Sequence, residues 1–348
     1  MELGSNFELN LKKKIKEQNN NINKYLNNEF SIYMDSGRSA LRVVTSRIKH
    51  GKILLPAYIC KSVVDCFQEQ YEICFYQLNQ SLGIEKESIE KQIDESVSAV
   101  YIMHYFGKMQ DANILEYIQE KQKVYQFKII EDTTHSILTK KATIGDYQIC
   151  SLRKWFAIPD GGVLYSVETL EADKIVEQKE SVAQILEAML LKYMFLHCGT
   201  ECNEMYRKIF VEQELALDEQ QKIYKISDIS EFLLKCEDIL DIKERRKENW
   251  NYIMKSLDNK KVIPLYNEKS EDFIPFSFPV LVDERDRFRK YLMEHKIYCA
   301  VHWPMETKEQ CEIKTNMELT KHMLSLPLDQ RYDLEHMKYM VEIVNEFK

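Results

Sequence analysis

The chain has 348 residues, 45% hydrophobic and 30% charged, an ordinary balance for a globular protein with a sizeable core and a length that suggests two domains. Its 48 Lys and Arg against 56 Asp and Glu leave a net charge of −8, which argues against a nucleic-acid partner but allows a basic pocket for a small phosphorylated ligand. No run approaches the roughly 18 apolar residues that span a bilayer. The opening MELGSNFELN has no leader pattern, and nine scattered cysteines read as free thiols, so a cytoplasmic protein without membrane contact is expected.

Residues 11–30, rich in Lys and Asn with sparse Leu11, Ile15 and Ile22, predict a polar helix followed by a loop. From there to about residue 166, six apolar runs predict buried strands: KILLPAYI (52–59), EICFYQL (72–78), AVYIMHYF (99–106), VYQFKIIED (124–132), YQICSL (147–152) and GGVLYS (161–166). Helix-period stretches at 62–70 and 111–122 lie between several of them. Such alternation predicts an α/β fold, a mostly parallel central sheet with helices on both faces. Ligands of such sheets sit outside the carboxyl ends of the strands.

Residues 167–260 predict helices, including a long amphipathic one over 229–257 whose KERRK run (243–247) reads as a solvated face. Beyond 261 the pattern gives a strand (272–282), a helix (286–295), a strand (297–303) and a terminal helix (334–347). The expected division is a large domain over 1–240, with its N-terminal helical segment, and a smaller C-terminal α+β domain over 241–348.

The nine glycines form neither GxGxxG nor a Walker A loop, and HExxH and G-x-S-x-G are absent. HCGTEC (197–202) lacks the fourth ligand of a structural zinc, so no metal is expected. Chemistry concentrates in four segments at predicted strand ends or helix starts: DSGRSAL (35–41), HYFG (104–107), IIEDTTHS (129–136) and GDYQICSLRKWFAIPDGG (145–162). Asp132 ends an apolar strand and reads either as a turn cap or as a functional acid in a partly dry place. Lys154 follows another strand, beside Trp155 and Phe156. It is either a snorkelling surface residue or an amine whose burial makes it a nucleophile toward an aldehyde. SGRSAL offers a helix start at which backbone N–H groups can cradle a phosphate. A lysine, an acid and a phosphate cradle are the set that pyridoxal 5'-phosphate (PLP) chemistry requires.

Taken in order, the segments resemble the DegT/DnrJ/StrS family of PLP-dependent aminotransferases, many of which act on nucleotide-linked sugars. LGSNFEL (3–9), SGRSAL (36–41), LLPAYIC (54–60), HYFGKMQD (104–111), EDTTHS (131–136), GDY (145–147) and GG (161–162) carry the resemblance, with RDRFRKYLMEHKIYCAVHWP (285–304) and LSLPLDQRY (324–332) toward the end. It implies the fold of type I PLP-dependent transferases and a homodimer. It makes Lys154 the PLP-bearing lysine, Asp132 the partner of the pyridine nitrogen, and His135 a neighbour of the ring hydroxyl or face. Gly37, Arg38, Ser39 and Ser151 would cradle the phosphate, Tyr58 would wall the pocket, and His104 would lie near the ring.

Three departures mark a divergent branch. Ser151 stands three rather than five residues before the lysine, with Arg153 as the alternative phosphate partner. Ile223 replaces an asparagine that often reaches the partner subunit's phosphate, and Arg38 replaces a threonine. The activity implied is transfer of an amino group from an amino acid, glutamate by default, to a keto substrate. That substrate is expected to be a nucleotide-linked keto-sugar of polysaccharide or secondary-metabolite biosynthesis. A sugar dehydratase on the same scaffold, in which histidine replaces the lysine, and a non-catalytic paralogue are the alternatives. His302, Trp303, Arg331 and Tyr332 are further candidates to approach the cleft.

Overall fold

The β-branched and aromatic runs of the first half do form strands, and their hydrogen bonds show why the runs are so uniformly apolar. The computed structural model describes residues 1–11, 18–22, 31–139, 143–168, 175–176, 181–304, 307, 310 and 312–348. The expected helix over 11–30 falls mostly outside these residues. Packing divides the chain into two units. One comprises Met1–Ser5, Arg47–Gln148 and Ile242–Lys348, the other Asn6–Ser46 and Ile149–Asp241. Neither unit is continuous in sequence, and residues 47–148 pack with the C-terminal residues.

In the first unit Glu72–Tyr76, Lys52–Pro56, Val97–Met103 and Lys128–Asp132 lie side by side in that order, all parallel, and Met103 stands opposite Asp132. Leu54, Leu55, Val100, Ile102, Ile129 and Ile130 are fully buried. Strands covered on both faces need apolar side chains at every position, not only at alternate ones. The helices Lys61–Phe67 and Ala112–Tyr125 supply crossovers between them. The second helix takes up residues 124–125 of the expected fourth strand and ends at Gln126, whose φ of 60° is left-handed. The C-terminal part holds an antiparallel sheet of Ile263–Pro264, Phe278–Leu281 and Met323–Leu326 around Trp250, Phe288, Met337 and Val344. The strand expected over 272–282 forms only at Phe278–Leu281, and of 297–303 Ile297–Tyr298 pairs with Leu3–Gly4 and Ala300 makes an isolated bridge to Ser325.

The second unit pairs Ser31–Met34 antiparallel to Gly162–Ser166. That first strand was not legible, being four residues after an Asn-rich stretch. The helices Val182–Cys198 and Asn203–Glu219 pack through Phe195 and Tyr206, whose rings lie 5.8 Å apart. The single helix expected over 229–257 is two, Asp228–Lys235 and Ile239–Ser256. Ser227 caps the first, and Asp238 accepts the Leu240 N–H at the start of the second. The KERRK run is not wholly solvated, because Arg246 is 1% exposed. Its guanidinium donates to Gln330 Oε1 and to the carbonyls of Pro275 and Phe276. A mixed, mostly parallel sheet flanked by helices, followed by an antiparallel α+β segment, makes the protein α/β.

Candidate active site

Alternation along the strand Lys128–Asp132 sends its last two side chains to opposite faces. Both are buried acids, and they have different employment. Asp132, 6% exposed, accepts 2.7 Å from the Tyr101 hydroxyl on Oδ2 and 2.8 Å from the Thr134 N–H on Oδ1. Burial raises its carboxyl above the usual range, although the bonds from Thr134 and Tyr101 and the nearby His104 pull it down. Tyr101 was missed in the sequence, although its place two residues before Met103 on the adjoining strand puts it beside Asp132.

Glu131 accepts from the N–H groups of Ile144 and Gly145 at 2.9 and 2.7 Å, and lies 3.0 Å from His104 Nε2. The Gln110 N–H donates to His104 Nδ1, so the proton is on Nε2 and points at Glu131. The HYFGKMQD, EDTTHS and GDY segments thus meet in one hydrogen-bond set. His104, expected near a cofactor ring, is committed to it. Removing the shared acceptor in Glu131→Ala would strand two buried donors and a partly buried one, and a loss of about 3 kcal/mol or more is expected in chemical denaturation. A variant as stable as wild type would show that these bonds do not hold the segments.

His135, 3% exposed, lies face to face with Phe276 at 4.2 Å and 13°. Trp303 is 5.7 Å away at 20°, with Phe106 at 5.0 Å and His302 at 5.5 Å. Phe106 has a φ of 52° and Gly107 one of 96°, so the turn Tyr105–Lys108 is left-handed at both central positions. A bulky residue there is strained, and the strain sets the Phe106 ring against His135. Tyr58 is buried, donates weakly to Met323 Sδ, and has its ring 5.4 Å from Trp303. Tyr58, His135, His302 and Trp303 therefore share one aromatic cluster. The sequence did not reveal Phe276 or the Arg246 guanidinium that holds its carbonyl. Arg331 and Tyr332 are engaged elsewhere. Arg331 pairs with Asp329 at 2.8 Å, and the Tyr332 hydroxyl accepts the Gly4 N–H at 2.7 Å, fixing the N-terminal strand.

In the second unit, Ser36 caps the helix Gly37–Thr45, its Oγ accepting the Ser39 N–H at 3.1 Å. The Ser39 hydroxyl donates to Asp35 Oδ1 at 2.6 Å, so both Ser39 donors are committed within the protein. A Cβ on Gly37 would lie 3.1 Å from Ser151 Cβ, and one on Gly162 only 2.2 Å from the Ser36 carbonyl carbon. The two glycines let the helix start, Ser151 and the strand Gly162–Ser166 come together. Ser151 ends the strand Tyr147–Ser151, and Lys154, itself exposed, ends the turn Leu152–Lys154, whose Leu152 is fully buried. Asp160, buried and raised by that burial against the pull of Ser227 and Ser230, accepts from both hydroxyls and from the Ser227 N–H. It anchors the segment that begins at Ile223, a function the sequence did not disclose.

Arg38 Nη2 and Arg153 Nη1 each lie 3.5 Å from the Glu214 carboxylate, and Arg38 Nη1 is 2.6 Å from Asp218. Partial burial would raise the Glu214 carboxyl, but Arg153, Lys154 and Arg38 outweigh it and hold the group below the usual range. Arg38 Nη1 is buried against Asp218, its close carboxylate partner. Two guanidinium groups beside a glycine-opened helix start, and a lysine in the field of the same carboxylate, suit a phosphorylated aldehyde. The buried Asp132 suits its ring nitrogen. The residues fit PLP.

These features of fold and donor set are those of a type I PLP-dependent transferase. The chain belongs to the DegT/DnrJ/EryC1/StrS aminotransferase family, whose profile matches residues 3–345, and it is accordingly an aminotransferase that works with PLP. A DegT/DnrJ/EryC1/StrS aminotransferase from Brucella abortus is similar in structure, with 16% identity, coverage of 93% of this chain and 87% of that one, and a TM-score of 0.65. AtS13 from Actinomadura melliaura has 15% identity, 94% and 89% coverage and a TM-score of 0.68. The sugar aminotransferase CalS13 from Micromonospora echinospora has 12% identity, 94% and 90% coverage and a TM-score of 0.68. No curated protein matches the chain in sequence. No helix among the described residues is long and apolar enough to cross a membrane.

Proposed function

We propose that the protein transfers the amino group of an amino acid, glutamate by default, to a keto-sugar, with Lys154 as the cofactor-bearing lysine. The sugar assignment is supported by the family and by the likeness to CalS13, described as a sugar aminotransferase. The observation that carries the site assignment is the common charge field of Arg38, Arg153 and Lys154 around one carboxylate. When bound, PLP supplies an aldehyde that carries the amino group and a ring that withdraws electrons from the reacting carbon. Lys154 Nζ takes the proton from the donor's α-carbon and returns it to the carbon receiving the amine, an acid–base contribution typically worth about 10²–10⁴-fold. Asp132 holds a proton on the ring nitrogen, because a neighbouring negative charge raises a cation's pKa. The Tyr101 hydroxyl and Thr134 N–H fix the orientation of that carboxylate. His135, backed by Phe276, offers a flat face to the ring. Gly37, Arg38, Ser151 and Arg153 hold the phosphate, and Ser39 supports them through Asp35.

A homodimer is part of the proposal. The helices Val182–Cys198 and Asn203–Glu219 expose Leu190, Met205, Val211 and Leu215, more apolar surface than a solitary helix pair needs, and a second copy would cover it. The functional test is incubation of the purified protein with PLP and glutamate, followed by a panel of nucleotide-linked keto-sugars and mass spectrometry. The expected results are a yellow protein, bleaching by glutamate, and a product about one mass unit heavier per keto group converted to an amine. A colourless protein after PLP incubation would remove the proposal.

A further inference from the structure

Glu214 has no part in the transfer just described, yet its carboxylate is held by the groups assigned to the cofactor's phosphate. It lies 3.5 Å from both Arg38 and Arg153, and Asp218, one helical turn on, lies 2.6 Å from Arg38. Arg38 stands where the family motif usually carries threonine. The helix Asn203–Glu219 that brings the two acids in buries only Tyr206 and Leu217 among its 17 residues. The ion pairs are also imperfect. The Glu214 contacts, at 3.5 Å, are long for charged hydrogen bonds. A carboxylate offers one negative charge and two oxygens. A phosphate monoester offers nearly two charges and three oxygens, and so fits a two-guanidinium site better.

We propose that Arg38 and Arg153 form an anion site whose resident counter-ion is Glu214, and that a phosphate monoester binds by displacing that carboxylate. The proposal rests on the phosphate role given above to these arginines. Glu214 then sets how tightly and how fast PLP loads. Without it, two facing guanidinium groups would repel each other in the empty protein, and Asp218 would keep only Arg38 neutralised.

The test is equilibrium binding to the full chain, with PLP and phosphate-free pyridoxal titrated in parallel against wild type, Glu214→Gln and Asp218→Asn. Glu214 is half exposed, so the glutamine variant should fold. Two partly exposed ion pairs of modest strength correspond to about a three- to tenfold effect. PLP should therefore bind Glu214→Gln about three- to tenfold more tightly and load faster, with pyridoxal affinity unchanged. A smaller change of the same sign is expected in Asp218→Asn. Unchanged or weaker PLP binding in Glu214→Gln, or an equal gain for pyridoxal, overturns the proposal. Borohydride treatment of the same samples separates the two readings. Cofactor fixed on Lys154 with no gain in affinity counts against Glu214 alone, whereas cofactor found on no lysine counts against the phosphate-site reading beneath it.

Discussion

Lys154→Ala should lose transamination by at least about 10³-fold and lose the cofactor mass that borohydride otherwise fixes on the 154 peptide. Two separate functions leave with the amine: the covalent hold on the aldehyde, and the base that carries the proton. The base alone is worth about 10²–10⁴-fold. The fold should not suffer. Lys154 is itself exposed at the end of a three-residue turn, and that turn is held by the buried Leu152 and by backbone bonds such as Trp155 N–H to the Leu152 carbonyl. Surface substitutions of this kind usually change stability by about 0.5 kcal/mol or less. The nearest compensation concerns Glu214, which loses one of three cations but keeps Arg153 and Arg38. The measurements are single-turnover reaction with glutamate, intact-protein mass after reduction, and a thermal melt. Wild-type turnover in the variant, or cofactor still fixed elsewhere in the chain, would sink the assignment of Lys154.

The site was legible to the extent that chemistry sits at strand ends. Asp132 could be singled out because an acid closing the apolar run FKIIED has few reasons to be there, and the structure finds it buried at that end. Periodicity gave the parallel strands for the same reason that it misplaced some of their limits. A fully buried strand and the last turn of a helix both read as apolar runs, so residues 124–125 were assigned to the wrong element. The partners of the site residues were not legible. Tyr101, Phe276 and Arg246 act across 31, 141 and 111 positions on Asp132 and His135, and nothing local distinguishes them from core or surface residues of their kind. Arg246 shows this most clearly. In sequence it is one cation in KERRK, yet the helix turns it inward, where it satisfies two carbonyls and Gln330 while its neighbour Arg245 reaches Glu248 near the surface. Motifs also overstate chemistry. His104 belongs to a segment that reads as functional, but its ring serves Glu131 and the turn at 144–145.

Asp132→Asn should separate activity from stability, moving them in opposite directions. The amide keeps the shape and can still meet the Tyr101 hydroxyl and the Thr134 N–H, so the strand end should hold its geometry. What it removes is the negative charge. Turnover should fall by about 10²–10³-fold, the usual cost of losing one preorganised electrostatic group, because the ring nitrogen no longer has an anion to keep it protonated. Cofactor attachment to Lys154 should persist, since that bond forms at the lysine amine and not at the ring nitrogen. For the cofactor-free protein the sign is reversed. Burial raises the Asp132 carboxyl, so between the ordinary carboxylate value and the native one the folded state holds a proton that the unfolded state has released. Stability due to that proton is present at low pH and is lost as pH rises through the native value. The amide has no proton to lose. The stability of Asp132→Asn relative to wild type should therefore grow as pH rises through this window and level off above it. Urea unfolding of both proteins at a series of pH values measures the difference directly. A difference that shrinks with rising pH would mean that hydrogen bonds, not burial, dominate this acid, and that Asp132 is poised as an ordinary capping carboxylate instead of a desolvated charge waiting for a cation.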